Sequence, residues 1–217
     1  MDNKTKVGIV GYGNLGRGVE KAVAHHQDLE LTAIFTRRPP QQINAQSKVL
    51  SVDEIPAYKG LIDVLILCGG STGDLPKQGP LYARDFNTVD SFDLHKEIPA
   101  YYESMDTASK KGGNLSIISI GWDPGLFSMA RLLFGAILPQ GKTYTFWGKG
   151  VSQGHSVALR QIPGVKKAVQ YTVPVQETIE NIRFGHEGPK TPREMHQRIC
   201  YVVLEPSAKP SEIESTI

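Results

Sequence analysis

The stretch from Val7 to Gly16, VGIVGYGNLG, constrains the fold of this chain more than any other, because an apolar run leads directly into three glycines spaced G-x-G-x-x-G. Gly11 permits a tight turn, Gly13 lets the backbone approach a pyrophosphate, and Gly16 lets the following helix lie close to the first strand. Phosphates would meet free N–H groups at the helix N-terminus. The pattern predicts a dinucleotide-binding turn, and the alternative is an ordinary glycine-rich turn.

The composition argues against several kinds of partner. With 24 Lys+Arg against 22 Asp+Glu in 217 residues, the net charge of +2 gives no reason to expect nucleic acid or an acidic membrane surface. The first residues lead straight into a strand, so we expect neither a signal peptide nor a membrane span. Cys68 and Cys200 fall in apolar strands without a metal-ligand pattern, which favours buried thiols, no metal and a cytoplasmic location.

Strand and helix patterns alternate along roughly the first 120 residues. Strands are predicted at 6–10, 29–35, 62–67, 88–90 and 115–118, and helices from 14, at 75–84 and at 98–111. The last of these helices is expected to end at a C-cap formed by Gly112 and Gly113. This succession predicts an α/β fold, with a doubly wound parallel (Rossmann-type) sheet over residues 1–120. Residues 121–217 are predicted to form a mixed α+β domain for substrate binding and dimerisation, with a helix at 126–138 and strands at 144–147, 168–173 and 199–204.

The last residues of the chain also carry a helix signal. Ser211 and Glu214 have the S-x-x-E spacing of a capping box, yet the sequence stops at Ile217. A helix of that length is not stable in water by itself. We therefore expect the chain to stop inside a helix and the second domain to be incomplete.

The residues after the second predicted strand select the nucleotide. NAD-binding versions of this fold place an Asp or Glu there to bind the ribose 2′-hydroxyl, whereas this chain has Thr36, Arg37 and Arg38. Two guanidiniums and a hydroxyl suit a 2′-phosphate, so NADP is the predicted cofactor. The alternative is that both arginines are solvated loop charges.

The cofactor is also expected to contact the glycine turn and the second glycine-rich loop, which follows the third predicted strand. The residues assigned to it in these two segments are Gly11, Tyr12, Gly13, Asn14, Leu15, Gly16, Cys68, Gly69, Ser71 and Thr72.

Several longer motifs carry a resemblance to a known family. They are FTRR at 35–38, TVDSFDLH at 88–95, GWDPG at 121–125, TFWGKGVSQGHS at 145–156, RQIPGVKKAVQYTVP at 160–174 and, more weakly, QRICYVV at 197–203. With the glycine turn, they make nearly the whole chain similar to the meso-diaminopimelate D-dehydrogenases. The resemblance implies a homodimer of lysine biosynthesis that oxidatively deaminates the D-centre of meso-2,6-diaminopimelate with NADP, giving L-2-amino-6-oxopimelate, ammonia and NADPH.

The same resemblance assigns two carboxylates to the reacting end of the substrate. Asp93 and Asp123 would hold the D-end amino group near the nicotinamide, and one of them would take its proton. Both lie just beyond predicted parallel strands, where ligands collect. The alternative for each is a helix N-cap. Trp122 and Trp147 would be apolar walls of the site, and the alternative for both is a place in the core.

The remaining substrate residues are assigned by resemblance alone. Gln153 and Gly154, in a loop with Ser152 and His155, would meet the D-end carboxylate, and His155 is not expected to act as a base. Thr172 and Arg198 would bind the distal, L-end carboxylate, for which a guanidinium has the right shape. A lone strand arginine is otherwise a surface charge.

Two departures from the family open alternatives. Ile120 stands where the family usually has a small hydroxyl residue, and the family continues past Ile217 with further L-end ligands, a histidine and an asparagine among them. One alternative is therefore an NADP-binding protein without catalysis. The other is an NADP oxidoreductase for another amino acid.

Overall fold

The structure, a computed structural model, describes residues 4–186, 188 and 191–217, apart from the side chains of Gln153 and Pro192. The chain divides into two compact units, Met1–Gly141 and Lys142–Ile217. The helix predicted at 126–138 therefore lies in the first unit, and a domain boundary at Gly121 stays a prediction. Within the described residues no helix is long and apolar enough to cross a bilayer.

A six-stranded parallel sheet forms the centre of the first unit. Its strands are β1 (Thr5–Val10), β2 (Leu29–Thr36), β3 (Val49–Ser51), β4 (Val64–Leu67), β5 (Asn87–Asp90) and β6 (Ser116–Ile117). They lie in the order β3-β2-β1-β4-β5-β6, which is that of the Rossmann dinucleotide-binding sheet. The predicted doubly wound sheet is confirmed. The strand order reverses beside β1, so a ligand is expected at the carboxyl ends of β1 and β4.

The described residues of the first unit, 4–141, form four α-helices: α1 (Asn14–Ala24), α2 (Leu75–Tyr82), α3 (Ile98–Gly112) and α4 (Leu126–Ile137). The predicted end of α3 is confirmed, because Gly113 adopts φ +69° and its N–H donates to the carbonyls of Lys110 and Ser109. The apolar helix α4 leaves large side chains exposed, with Met129 at 70% and Leu132 at 77%.

The core of the first unit is built from strand side chains that are covered on both faces of the sheet. Six of them have no exposed surface: Ile9, Ala33, Ile34, Phe35, Leu65 and Leu67. Such burial explains why these strands read as continuous apolar runs rather than alternating ones. Each buried large side chain contributes about 1.5–3 kcal/mol.

The second unit is organised around an antiparallel sheet of three strands, β7 (Gly150–Val151), β8 (Val165–Pro174) and β9 (His196–Leu204), in that order. The helices of this unit are α5 (Gln153–Arg160), α6 (Gln176–Arg183) and α7 (Pro210–Glu214). Helix α5 packs on β8 through buried Leu159 and Ser156, and the Ser156 hydroxyl accepts the Gln170 N–H at 2.9 Å.

Three local predictions for the second unit are wrong. Residues 144–147 form no strand, because Trp147 N–H donates to the ring of His196 rather than to a strand carbonyl. The segment from Gln153 is the start of α5 and not a loop. Helix α7 begins at Pro210 without a side-chain cap, so Ser211 does not form the predicted capping box. The short edge strand β3 and the helix α6 were not predicted.

Candidate active site

The predicted glycine turn joins β1 to α1. Gly11 has φ +94°, in the left-handed region that favours glycine, and its N–H donates to the Phe35 carbonyl of β2 at 2.8 Å. A Cβ on Gly16 would overlap the carbonyl oxygen of Gly11. A larger residue at position 16 would therefore push α1 away from β1.

The N-terminus of α1 is open. A Cβ on Gly13, the residue before the helix, would meet nothing within 4 Å, and no side chain of the described residues caps this end. Asn14 and Leu15 begin the helix and are exposed. The first N–H groups of a helix have no partners within it and carry partial positive charge. This end therefore has both the space and the donors that a pyrophosphate needs.

Tyr12 fixes the turn from within the fold. The tyrosine is buried, and its hydroxyl donates to the carboxylate of Glu20 in α1. Glu20 also accepts the N–H groups of Gln46 and Ser47 at 3.1 and 3.0 Å. Burial raises the pKa of Glu20, but the hydrogen bonds from Tyr12, Ser47 and Gln46 outweigh it and leave the pKa below its usual value. Glu20, which the sequence did not single out, is thus an anion that joins the turn to the segment after β2.

The three residues predicted to bind a 2′-phosphate have different partners. Thr36 is buried at the end of β2, and its hydroxyl accepts the Arg38 N–H at 3.1 Å. The Arg38 guanidinium donates to the Tyr12 carbonyl at 2.5 Å, within the glycine turn. Arg37 instead pairs with Asp74, at 2.9 Å between Nη2 and Oδ1. The sequence pattern gave no indication of Asp74.

The second cofactor loop follows β4 and contains all four residues assigned there: Cys68, Gly69, Ser71 and Thr72. Cys68 is half-buried just beyond the strand, and burial raises the pKa of its thiol to about 12, so it stays protonated at neutral pH. The Ser71 hydroxyl accepts the Asp93 N–H at 3.1 Å. This contact links the proposed cofactor loop to the segment that carries a proposed catalytic carboxylate.

A buried aspartate links the segments that follow β5 and β6. Asp90 is the last residue of β5 and is 2% exposed. Its Oδ1 accepts the N–H groups of Phe92 at 3.0 Å and Ser119 at 3.1 Å, and its main-chain carbonyl accepts the Ile120 N–H at 2.8 Å. The segments that lead to Asp93 and to Asp123 are therefore hydrogen-bonded to one residue.

Tyr101 of α3 completes the environment of Asp90. Its hydroxyl donates to Asp90 Oδ2 at 2.7 Å, and its ring stacks on Phe92 with 4.1 Å between centroids. Burial and the bond to Asp90 raise the pKa of Tyr101 well above its usual value, so the hydroxyl remains a donor. Sequence reasoning missed Asp90, although an aspartate that ends a buried strand is a signal for such a role.

The two proposed catalytic aspartates differ in their surroundings. The Asp93 side chain is exposed. The Asp123 carboxylate forms a bidentate pair with Arg131 of α4, with Nη2–Oδ1 at 2.5 Å and Nη1–Oδ2 at 3.2 Å. These bonds lower the pKa of Asp123, burial opposes them, and the nearby His95 lowers it slightly further. Asp123 is therefore suited to hold a cation and is a weak proton acceptor.

Neither aspartate caps a helix, so that alternative is wrong for both. The residue before α4 is Gly125, whose N–H donates to the Ser128 hydroxyl at 3.3 Å. After Asp93 the chain makes a short 3₁₀ turn, His95–Glu97, before α3 begins. In each case the extra residues between aspartate and helix keep the carboxylate away from the helix N–H groups.

The two tryptophans lie outside the core, so the core alternative is wrong. Trp122 is 65% exposed and Trp147 is 43% exposed. The Trp122 ring lies 5.7 Å from that of Phe127. Ile120, which stands where the family usually has a small hydroxyl residue, is also exposed, at 53%.

A cavity of about 940 Å³ in the second unit collects side chains that were assigned to carboxylate binding. Thr172 of β8 and Arg198 of β9 are direct cross-strand partners, and both line it with Trp147. The side chain of Gln153 lies outside the described residues. Gly154 is exposed in the first turn of α5, and a Cβ there would meet nothing within 4 Å.

Two histidines, His155 and His196, also line this cavity. His196 accepts the Trp147 N–H on Nε2 at 2.9 Å, and His155 Nδ1 lies 2.7 Å from the Ser152 hydroxyl. Burial lowers the pKa of both imidazoles, and the charge of Arg198 lowers it further. At neutral pH the rings are uncharged and Arg198 contributes a positive charge to the lining. Sequence reasoning did not find His196.

The sheet order, the glycine turn and the open end of α1 define a dinucleotide-binding α/β protein. Comparison with known proteins identifies its family. Residues 121–217 match the family model described as the diaminopimelic acid dehydrogenase C-terminal domain. The meso-diaminopimelate D-dehydrogenase of Ureibacillus thermosphaericus is 55% identical over 99% of this chain and 67% of its own length. The chain belongs to the meso-diaminopimelate D-dehydrogenase family.

Solved structures agree with this assignment. Corynebacterium glutamicum DAP dehydrogenase in complex with DAP is 44% identical, with a TM-score of 0.91, over 99% of this chain and 66% of its own. An engineered D-amino acid dehydrogenase bound to NADP+ is 42% identical, with a TM-score of 0.88 and the same coverage. The chain thus spans about two thirds of the length of these relatives.

Proposed function

We propose that the chain acts in the NADP-dependent oxidative deamination of the D-centre of meso-2,6-diaminopimelate, with L-2-amino-6-oxopimelate, ammonia and NADPH as products. One observation carries the proposal. Asp93 and Asp123 follow the neighbouring strands β5 and β6, at the carboxyl end of the parallel sheet, where the glycine turn also lies. Asp90 is hydrogen-bonded to the segments that lead to both aspartates. The names and similarity of the family members support it.

NADP is the proposed cofactor, and the residues present fit it. The open end of α1 suits the pyrophosphate. The 2′-phosphate is assigned to Thr36, Arg37 and Arg38. The loop at 68–72 lies at the same carboxyl end of the sheet. When bound, NADP supplies a nicotinamide that accepts the hydride. The relative bound to NADP+ supports the choice.

The two carboxylates have separate proposed roles. Oxidation takes a hydride from the D-carbon and a proton from its nitrogen, after which water replaces the nitrogen as ammonia. Asp123, whose pKa is lowered by Arg131, holds the ammonium group of the incoming substrate. Asp93, which is exposed to solvent, takes the proton and passes it to water.

The substrate carboxylates need cations and N–H donors. We assign Gln153 and Gly154 to the D-end carboxylate, and Thr172 with Arg198 to the L-end carboxylate. The cationic cavity and the cross-strand pairing of Thr172 with Arg198 support this assignment. Trp122 and Trp147 are the proposed apolar walls, and their exposure leaves their rings available for contact.

We also propose a cytoplasmic homodimer. Exposed apolar side chains on α4 support self-association, because soluble monomers rarely leave such side chains uncovered in groups. These side chains are Met129, Leu132, Leu133 and Ile137, each 58–77% exposed. The unpaired thiols Cys68 and Cys200 suit a reducing compartment. Light scattering during gel filtration tests the dimer, and a mass of one chain contradicts it.

The activity is tested by mixing the purified chain with meso-diaminopimelate and NADP and following the absorbance of the reduced nicotinamide. We expect turnover in the wild type, a loss of at least about a hundredfold in Asp93→Asn, and wild-type rates in the surface control Asp85→Asn. The L,L isomer, which has no D-centre, should not react. NADP binding without turnover would contradict catalysis, and turnover with another amino acid alone would contradict the substrate.

A further inference from the structure

The ion pair between Arg37 and Asp74 spans the two strands that flank β1. Arg37 follows β2, Asp74 lies in the loop after β4, and β1 is between those strands in the sheet. Neighbouring strands are about 4.8 Å apart. The pair therefore reaches across the carboxyl end of β1, where the glycine turn begins.

Within this pair the carboxylate is fixed by main-chain hydrogen bonds of its loop, whereas the guanidinium is largely exposed to solvent. The Asp74 side chain is 23% exposed, whereas that of Arg37 is 67% exposed. Asp74 Oδ2 accepts the Gly70 N–H at 3.0 Å, and the Gly70 carbonyl accepts the N–H groups of Asp74 and Leu75 at 2.9 and 3.1 Å. The loop thus fixes Asp74, while Arg37 reaches it with a long side chain that can change partner.

The two arginines of the proposed phosphate site differ in this respect. Arg38 donates to a main-chain carbonyl of the glycine turn, which carries no charge. The Arg37 guanidinium meets the Asp74 carboxylate through a single Nη2–Oδ1 contact of 2.9 Å, and a carboxylate has the same sign of charge as a phosphate. A nucleotide phosphate at the carboxyl end of β1 would compete with Asp74 for the Arg37 guanidinium.

We propose that Asp74 is a specificity-determining residue that competes with the 2′-phosphate of NADP for the Arg37 guanidinium, and so moderates the preference for NADP over NAD. The inference rests on the NADP assignment above. NAD has no 2′-phosphate, so its binding does not need Arg37. The competition therefore acts on one nucleotide only.

Asp74→Asn tests the competition, because the amide oxygen can still accept the Gly70 N–H while the charge is removed. Exposed ion pairs are weak, so we expect the dissociation constant of NADP to fall about two- to fivefold and that of NAD to stay unchanged. In an Arg37→Ala background the same substitution should have no effect on NADP. Isothermal titration calorimetry measures the binding of both nucleotides to the wild type, to each single variant and to the double variant.

The matched control is Asp85→Asn, which removes an exposed carboxylate that pairs with Lys59 on another part of the first unit. It should bind both nucleotides as the wild type does. Circular dichroism spectra verify that each variant is folded before titration.

The outcomes separate this inference from the cofactor assignment. A wild type that binds NADP no better than NAD would overturn both. A wild type that prefers NADP, with Asp74→Asn equal or weaker in NADP binding, would overturn the competition alone. If Asp74→Asn strengthens NADP binding equally in the Arg37→Ala background, long-range repulsion by the carboxylate explains the effect and the competition is again overturned.

Discussion

The hydroxyl of Tyr101 donates a 2.7 Å hydrogen bond to the buried carboxylate of Asp90, and this bond ties helix α3 to the end of strand β5. The other carboxylate oxygen accepts N–H groups from the segments that follow β5 and β6. One side chain thus accepts hydrogen bonds from three donors in three parts of the chain. A buried carboxylate is stable only when it is satisfied in this way.

Asp90→Ala should therefore destabilise the first unit strongly. It leaves the N–H groups of Phe92 and Ser119 and the Tyr101 hydroxyl without their acceptor, which is expected to lower the free energy of unfolding by about 2–4 kcal/mol. Tyr101→Phe removes one donor and keeps the ring stack, so it should cost about 1 kcal/mol. Urea denaturation followed by circular dichroism measures both. Equal losses in the two variants would show that the N–H groups of Phe92 and Ser119 do not depend on Asp90.

Arg131→Met should raise the pKa of Asp123. The bidentate pair is the largest cause of the lowered value, and burial, which acts in the opposite direction, remains after the substitution. A carboxyl group with a lowered pKa in the folded state contributes stability above its unfolded pKa and loses it as the pH falls. The variant should lose that contribution. Carbon-detected NMR titration of Asp123 measures the shift, and Lys59→Met is the control that should not change it.

His196 should make the stability of the chain depend on pH around and below the ordinary histidine pKa of about 6.5. Its pKa is lowered in the folded state, first by burial and then by Arg198, so the unfolded chain binds more protons in this range. The free energy of unfolding should consequently fall as the pH decreases through this range. His196→Gln, which can still accept the Trp147 N–H, should flatten this dependence. Urea midpoints at several pH values test it, and an unchanged slope would contradict it.

Arg198→Met should weaken the binding of meso-diaminopimelate by about tenfold or more, because a charge-assisted bond to a carboxylate is lost. Thr172→Val should weaken it less, since a neutral hydroxyl contributes less than a cation. Calorimetric titration measures both affinities. Arg183→Met, on α6 of the same unit, is the control, and an equal loss there would point to a general effect of charge.

The parts of the fold that the sequence predicts are those set by neighbouring residues. The glycine turn, the apolar parallel strands and the left-handed Gly113 each follow from residue types within one short segment. The segment at 144–147 shows the limit, because its aromatic and β-branched residues suit a strand, yet these described residues form none and the Trp147 N–H donates to His196. Tertiary partners decide such cases.

In the candidate site, too, features set by neighbouring residues were predicted and features set by tertiary contacts were not. Arg37 and Arg38 were predicted from their position after a strand, yet the pairing of Arg37 with Asp74 depends on a loop that follows another strand. The contact between Asp90 and Ser119 joins residues 29 positions apart, and that between Trp147 and His196 joins residues 49 apart. Sequence spacing carries no information on contacts of this kind. Tertiary packing brings these residues together.

The ladder between β8 and β9 has a consequence for how this chain tolerates change. Thr172 and Arg198 face the charged cavity, whereas Tyr171, Ile199 and Tyr201 line an apolar cavity. Because successive side chains alternate between faces, inserting a single residue in the middle of β9 would move the β9 side chains beyond the insertion to the opposite face of the sheet. Each β9 side chain beyond the insertion keeps its face of the sheet only if the number of inserted residues is even. An insertion of two residues should therefore be far less harmful than an insertion of one.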